Sequence, residues 1–319
     1  MRSTEAHPAR PAVARQALGA GVAFAGGVFL AAQGRINGEL GHVLGDGFLA
    51  ALVSFGGGLV LLLLAVPTTR RGRAGFRALR TALREHRIRW WQCVGGACGA
   101  FFVATQGLTV AALGVAVFTV AVVAAQATSS LLVDRAGIGP AGPRALTAPR
   151  VAGALLAVLS VGVAVSDDLG SPSALWPALL PALAGIGLGW QQAVNGLVRE
   201  ASGSTPVTTA VNFATGTAVL LAVCAVDLLA RGLPATAPDQ PWLYLGGALG
   251  VVTISTAVLA VRWIGVLLVG LCQVAGQLVG ALAVDLVVPA AGQQLAPVTV
   301  LGTALTLAAV VVAALPGRR

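Results

Sequence analysis

The residues best equipped for chemistry in this chain are two glutamine–asparagine pairs. Gln33 and Asn37 stand four apart in Gln33-Gly-Arg-Ile-Asn37-Gly, and Gln191 and Asn195 repeat that spacing in Gln191-Gln-Ala-Val-Asn195-Gly. Residues four apart share a helix face, so each pair aims two neutral amides in one direction. Both pairs lie in strongly apolar segments, where an amide without a partner is costly and must face protein or water. Two roles meet that demand. The amides could line a central cavity and hold a polar solute, or they could join helices, where such bonds contribute about 0.6–2 kcal/mol. Duplication leaves both open, because either role would be inherited by both copies.

A second set follows the same logic. Gln126 and Gln277, with Gln273 one turn before the latter, occupy equivalent midspan depths and are expected to face a pathway. Asp134 and Asp285 lie eight residues further on, near span ends where an acid reaches water. They are candidates for a proton site or gate, with Arg135 as an alternative ion-pair partner for Asp134. Arg35 sits inside the first amide motif. Glu39 is one turn on, so an ion pair at the membrane edge is expected, and contact with an anionic group at an outward vestibule is the second reading.

The elements that must hold these residues are written twice. A shift of 158 positions carries Gln33 and Asn37 onto Gln191 and Asn195, Phe55 onto Phe213 and Gly58 onto Gly216. Beyond the second apolar segment the shift becomes 151, pairing Trp91 with Trp242, Gly95-Gly96-Ala97 with Gly246-Gly247-Ala248, Gly99 with Gly250, Thr105 with Thr256, Gly114 with Gly265, Gln126 with Gln277 and Asp134 with Asp285. The difference lies in the first copy's longer connection, from Arg70 to Arg89. That connection carries eight arginines and one acid, Glu85.

Composition sets the class. Hydrophobic residues make up 57% of 319 positions and charged ones 10%, against about a quarter charged in a soluble domain. Apolar windows of about 20 residues, enough to cross hydrocarbon, are centred on Phe24, Leu59, Phe102, Val123, Val158, Leu183, Ala218, Gly250, Leu271 and Leu307. The expected fold is all-α and integral to the membrane, with ten transmembrane helices in two five-helix repeats. A five-span copy returns to the opposite face, so the repeats are expected to be inverted. The domains read as a cytoplasmic tail over 1–16, a first repeat over 17–166 with a basic cytoplasmic loop at 68–90, and a second repeat with a short basic end over 167–319.

The net charge of +9 is carried entirely by arginine. With ten spans, all arginines but Arg35 and Arg231 fall on one side, which the positive-inside rule makes cytoplasmic along with both termini. This placement argues against nucleic acid. The basic connection reads either as an amphipathic segment on anionic lipid headgroups or as a solvated charge run that only fixes topology. An N-terminal secretory signal is not expected, since further spans follow.

Several functions are excluded or disfavoured. There is no lysine, hence no Walker-type phosphate loop, and Gly185-Ile-Gly187-Leu-Gly189 lacks the strand that a dinucleotide site requires. His7, His42 and His86 are too scattered for a metal site. Cys93, Cys98, Cys224 and Cys272 show neither metal spacing nor disulfide logic. No catalytic residue, cofactor or metal is expected, and the chain does not read as an enzyme.

The paired Gln-x-x-x-Asn-Gly motifs, together with Ser54-Phe55-Gly-Gly-Gly and Asn212-Phe213-Ala-Thr-Gly, resemble the drug/metabolite transporter superfamily, specifically its YdcZ-like family of bacterial inner-membrane proteins. The resemblance covers residues 17 to 315. It implies a ten-helix inner-membrane fold and export of a small molecule, without naming the substrate, the coupling ion or the oligomeric state. The sequence-level expectation is a secondary transporter of a small polar or amphipathic organic molecule, working by alternating access with proton coupling as an option. The alternative is a non-transporting membrane scaffold or lipid-moving protein.

Overall fold

A computed structural model describes residues 9–164, 179–231, 238–287 and 297–316; within them, the side chains of 106–120 and of Asp285 lie outside the described set. Among the described residues the chain is helical, with no strand. The helices are α1 (Ala9–Leu44), α2 (Gly47–Thr68), α3 (Arg70–Arg84), α4 (Gly95–Ala136), α5 (Ala148–Ala164), α6 (Leu179–Ser202), α7 (Thr205–Arg231), α8 (Gly246–Val287) and α9 (Pro297–Ala314). Short 3₁₀ turns at Trp90–Cys93 and Pro241–Leu245 lead into α4 and α8. These turns correspond under the shift of 151, so the duplication extends to local backbone form.

Local signals set the helix ends. The Asp46 carboxylate accepts from Phe48 N at 2.8 Å and Leu49 N at 3.1 Å, satisfying donors that the first turn of α2 leaves free. Thr69 does the same for α3 through Gly72 N at 2.9 Å. Gly137, at φ 67, ends α4 in the left-handed conformation that glycine adopts without a Cβ penalty.

The long helices depart from a simple count of apolar windows. Those expected at Phe102 and Val123 fall on the single helix α4, and those at Gly250 and Leu271 both fall on α8. Each helix has 42 residues. At about 1.5 Å per residue this is roughly twice a 30 Å hydrocarbon core. Among the described residues, four stretches are long and apolar enough to cross a membrane: Val13–Leu44, Gly47–Thr68, Thr205–Asp227 and Pro241–Ala283. Shorter apolar helical segments occur at Gly95–Thr105, Ala148–Ser160 and Val300–Ala314. The described part of the sixth expected window, in α6, stands outside both sets.

Packing runs between the sequence copies more than within them. α1 packs chiefly on α8, α4 on α6, α2 on α7 and α5 on α9. The duplication relates α1 to α6, α4 to α8, α2 to α7 and α5 to α9, so this pattern maps onto itself. Individual contacts repeat it. A Cβ on Gly58 would overlap the Phe213 ring and approach Gly247 O to 2.9 Å; one on Gly216 would meet the Phe55 ring at 2.5 Å and Gly96 O at 3.1 Å. Phe55 and Phe213 themselves lie together, ring centroids 5.2 Å apart. Small residues allow this closeness, as they do where helices pack in lipid.

α3 accounts for the basic connection. Gly72, Gly75, Leu79 and Ala82 form its buried face, where a Cβ on Gly75 would crowd Ser204 and Val207 of the α6–α7 turn. Arg70, Arg71, Arg73, Arg77, Arg80 and Arg84 stay exposed. That small-residue face is therefore covered by protein, while the arginines and Phe76 remain outward.

Candidate functional site

The first concentration of functional groups lies where α8 breaks. Gly265 has φ 81 and ψ 173, which splits α8 into helices over 246–264 and 266–287. A break of this kind exposes carbonyls on one side and amide hydrogens on the other. Asp134, 2% exposed, accepts from Val266 N at 2.9 Å and from Leu267 N at 3.2 Å. A carboxylate at a helix start is also favoured by the helix dipole. Arg144 donates to Ile264 O at 2.9 Å and Trp263 O at 3.2 Å, so both sides of the break are satisfied from the α4–α5 connection.

Asp134 is also ion-paired to the Arg150 guanidinium, whose side chain is 10% exposed. The partner anticipated from sequence, Arg135, is exposed. The reason is geometric: Arg135 is adjacent in sequence and projects from a different face of α4, whereas Arg150 opens α5 and returns over the carboxylate. Burial holds the Arg144 guanidinium below its ordinary pKa, a shift that nearby Asp134 opposes and Arg150 reinforces.

The duplicated amides lie along two glycine seams. Asn37 Oδ1 lies so near Gly246 that a Cβ there would overlap it, with Ser54 Oγ 3.0 Å from the same point. One turn on, a Cβ at Gly250 would stand 2.7 Å from Gln33 Nε2. The other seam repeats this: a Cβ at Gly95 would lie 2.8 Å from Asn195 Oδ1, and one at Gly99 3.2 Å from Gln191 Oε1. Gln33, Gln191 and Asn195 are buried, and Asn37 is partly so. The structure thus places each pair against the opposite sequence copy. It does not gather the four amides around one vacant space.

Gln126 and Gln273 converge on a residue that sequence reasoning passed over. Gln192 Nε2 donates to Gln273 Oε1 at 2.8 Å, joining α6 to α8. A Cβ on Gly270 would lie 3.4 Å from Gln126 Nε2 and 3.8 Å from Gln192 Oε1. Gln126 also lines a narrow crevice of ≈ 10 Å³ between α4 and α8, with Ser130, Leu267 and Gly270 among the walls. Gln192 was overlooked because its counterpart is Gly34, so the duplication carries no trace of it. Gln277 is exposed, apart from this group. The side chain of Asp285, near the end of α8, lies outside the described set. Arg35 and Glu39 are both exposed, and the anticipated ion pair is not formed: among the described residues, the ion pairs are Arg87–Glu85 and Arg150–Asp134.

Among the described residues no cluster of histidine, cysteine and acids could hold a metal. The four cysteines are free, with Cys224 and Cys272 buried. The arrangement offers hydrogen bonds and one charge cluster.

Comparisons with known proteins agree with this architecture. No curated protein matches the chain. A solved structure described only as "Crystal structure of protein" is similar in fold, with TM-score 0.66 and 18% identity, covering 95% of this chain and 96% of that one. A family model described as "Putative inner membrane exporter, YdcZ" matches twice, over residues 18–164 and 176–312, which are nearly the two copies read from the sequence. The chain belongs to this family, a multi-pass inner-membrane transporter rather than an enzyme.

Proposed function

We propose that the chain exports a small polar or amphipathic organic molecule by alternating access between two inverted five-span repeats. The observation that carries this reading is the exchange of contacts between the copies, centred on Phe55 and Phe213. Inverted repeats meeting at a pseudo-twofold axis are a common plan of secondary transporters, because each face of the membrane then receives an equivalent gate. In this reading the two halves of α8 cross the membrane separately, on either side of the break at Gly265. The segments 246–264 and 266–287 are each about the length that spans hydrocarbon.

The cluster at Gly265 supplies a movable part. Asp134 holds Arg150 and the start of the second half of α8, so loss of these contacts would free that half-helix. The Arg face of α3 lies on anionic headgroups in the same scheme, each Arg contributing about 1 kcal/mol near the surface. Co-purified phosphatidylglycerol should fall when Arg73, Arg77, Arg80 and Arg84 are changed to Gln, and unchanged lipid content would refute that assignment.

The transport reading is tested in two stages. Deletion and overexpression strains screened against amines, antibiotics and metabolites should reveal a compound whose tolerance follows the gene. Proteoliposomes then measure its flux in the native protein and in Asn37→Leu and Asn195→Leu. Flux is expected to fall in both variants at normal folded yield. Undiminished flux would assign those amides to helix packing. A pH dye in the lumen reports coupling, and substrate movement without a pH response would exclude a proton for that substrate.

A further inference from the structure

Some polar atoms along the two glycine seams have no partner. Ser54 Oγ, on a residue 2% exposed, and both amide atoms of Asn212, 1% exposed, are buried without a hydrogen bond, as are Asn37 Oδ1 and Gln191 Oε1. Buried polar groups are almost always paired, and one left over points to a ligand, a water or a second state. Ser54 and Asn212 correspond under the shift of 158. Each precedes the phenylalanine of the central pair, and each places its carbonyl against an equivalent glycine, Gly247 for Ser54 and Gly96 for Asn212. Of these unpartnered atoms, those of Ser54 and Asn212 thus occupy matched places in the two copies.

We propose that Asn37 with Ser54, and their counterparts Asn195 with Asn212, form two equivalent half-sites that take in turn an uncharged polar group of the cargo, such as an amide or hydroxyl. The inference rests on the transporter reading and deepens it by naming the chemistry recognised. Uncharged is required because neither half-site contains a charged side chain. Arg35 and Glu39 are exposed, and the two ion pairs among the described residues involve other segments. An ion entering such a place would lose its hydration with nothing to compensate it. The glycines opposite explain why little room is visible: with no Cβ at Gly246 or Gly95, the seam closes fully on the amides when empty and parts to admit cargo. Phe55 and Phe213, between the half-sites, offer an apolar surface to the rest of the molecule.

The test needs no known substrate. In full-length protein with Cys93, Cys98, Cys224 and Cys272 changed to Ala, the variants Ser54→Cys and Asn212→Cys are placed in sealed vesicles of both orientations. They are labelled with a membrane-impermeant methanethiosulfonate, with Ala309→Cys, at a fully buried position of α9, as the packing control. Both are expected to react faster than the control by about tenfold or more, since labelling follows the population of the opened form. They should do so from opposite faces. Asn195→Cys replaces Asn212→Cys if the latter fails to reach the membrane. Reaction no faster than the control overturns the half-sites, even if export is established; labelling without any exported compound would instead count against the transport reading alone. Acetamide and glycerol should slow the labelling while acetate and tetramethylammonium do not. Slowing by the ions only, or by none of the four, overturns the uncharged class.

Discussion

Asp134 shows how much one side chain can hold. Its carboxylate meets the Arg150 guanidinium and two backbone N–H groups of α8, and its own carbonyl accepts from Arg144 N at 2.8 Å. Breaking a buried pair by removing one partner costs about 3–5 kcal/mol, whereas replacing both members with apolar groups is far milder. Asp134→Leu should therefore lower thermal stability in detergent sharply, and Asp134→Leu with Arg150→Leu should recover part of the loss. The recovery should stay incomplete, because Val266 N and Leu267 N still lose their acceptor. A double variant no better than the single one would show that capping of α8 outweighs the ion pair. The acid was legible from its place in the duplication, but its partner was not. Sequence proximity favours Arg135, while Arg150 arrives only after the chain has turned at Gly137 and started α5. The same limit hid Ser54 and Asn212, whose importance lies in what they fail to bond, a property no sequence displays.

At the scale of elements, glycine decides which helices touch. A Cβ on Gly96 would overlap Asn212 O, and one on Gly247 would overlap Ser54 O; backbone carbonyls cannot swing aside as a side-chain tip can. Gly56 and Gly57, by contrast, have nothing within 4 Å of such a Cβ. Gly96→Ala and Gly247→Ala should each push α4 from α7 and α8 from α2, losing about 1–3 kcal/mol or more to overpacking. Gly56→Ala and Gly57→Ala should be neutral or gain up to about 1 kcal/mol from helix propensity. Melting of the four variants as fluorescent fusions in detergent distinguishes the groups, and equal behaviour would mean that the seams yield readily. The seam glycines were visible beforehand, since Gly95-Gly96 and Gly246-Gly247 correspond. Their partners were not. Apolar windows also could not show that pairs of them continue as one helix, because hydropathy registers length and composition and is blind to a turn as short as the single residue Gly265.

At the scale of the whole molecule, the main helix pairings all run between the copies: α1 with α8, α4 with α6, α2 with α7 and α5 with α9. A copy taken alone would keep only lesser contacts such as α1 with α2 and α4 with α5. It would leave a buried polar group such as Asn212 facing lipid, where unsatisfied groups are costly. The copies are thus repeats in sequence but a single unit in folding. Residues 1–166 and 167–319 produced as separate chains should each be degraded when expressed alone. Produced together they should accumulate and co-purify, because interhelical packing assembles membrane helices without a covalent link between them. If each half instead accumulated alone as a folded, monodisperse species, the exchanged packing would not be what stabilises the protein, and the scheme of two gates hinged on a shared Phe55–Phe213 centre would lose its mechanical basis. If the halves were stable only together, movement at one seam would have to be felt at the other, since both are closed by helices of the opposite copy. In the proposed scheme, that mutual dependence would make one gate shut as the other opens.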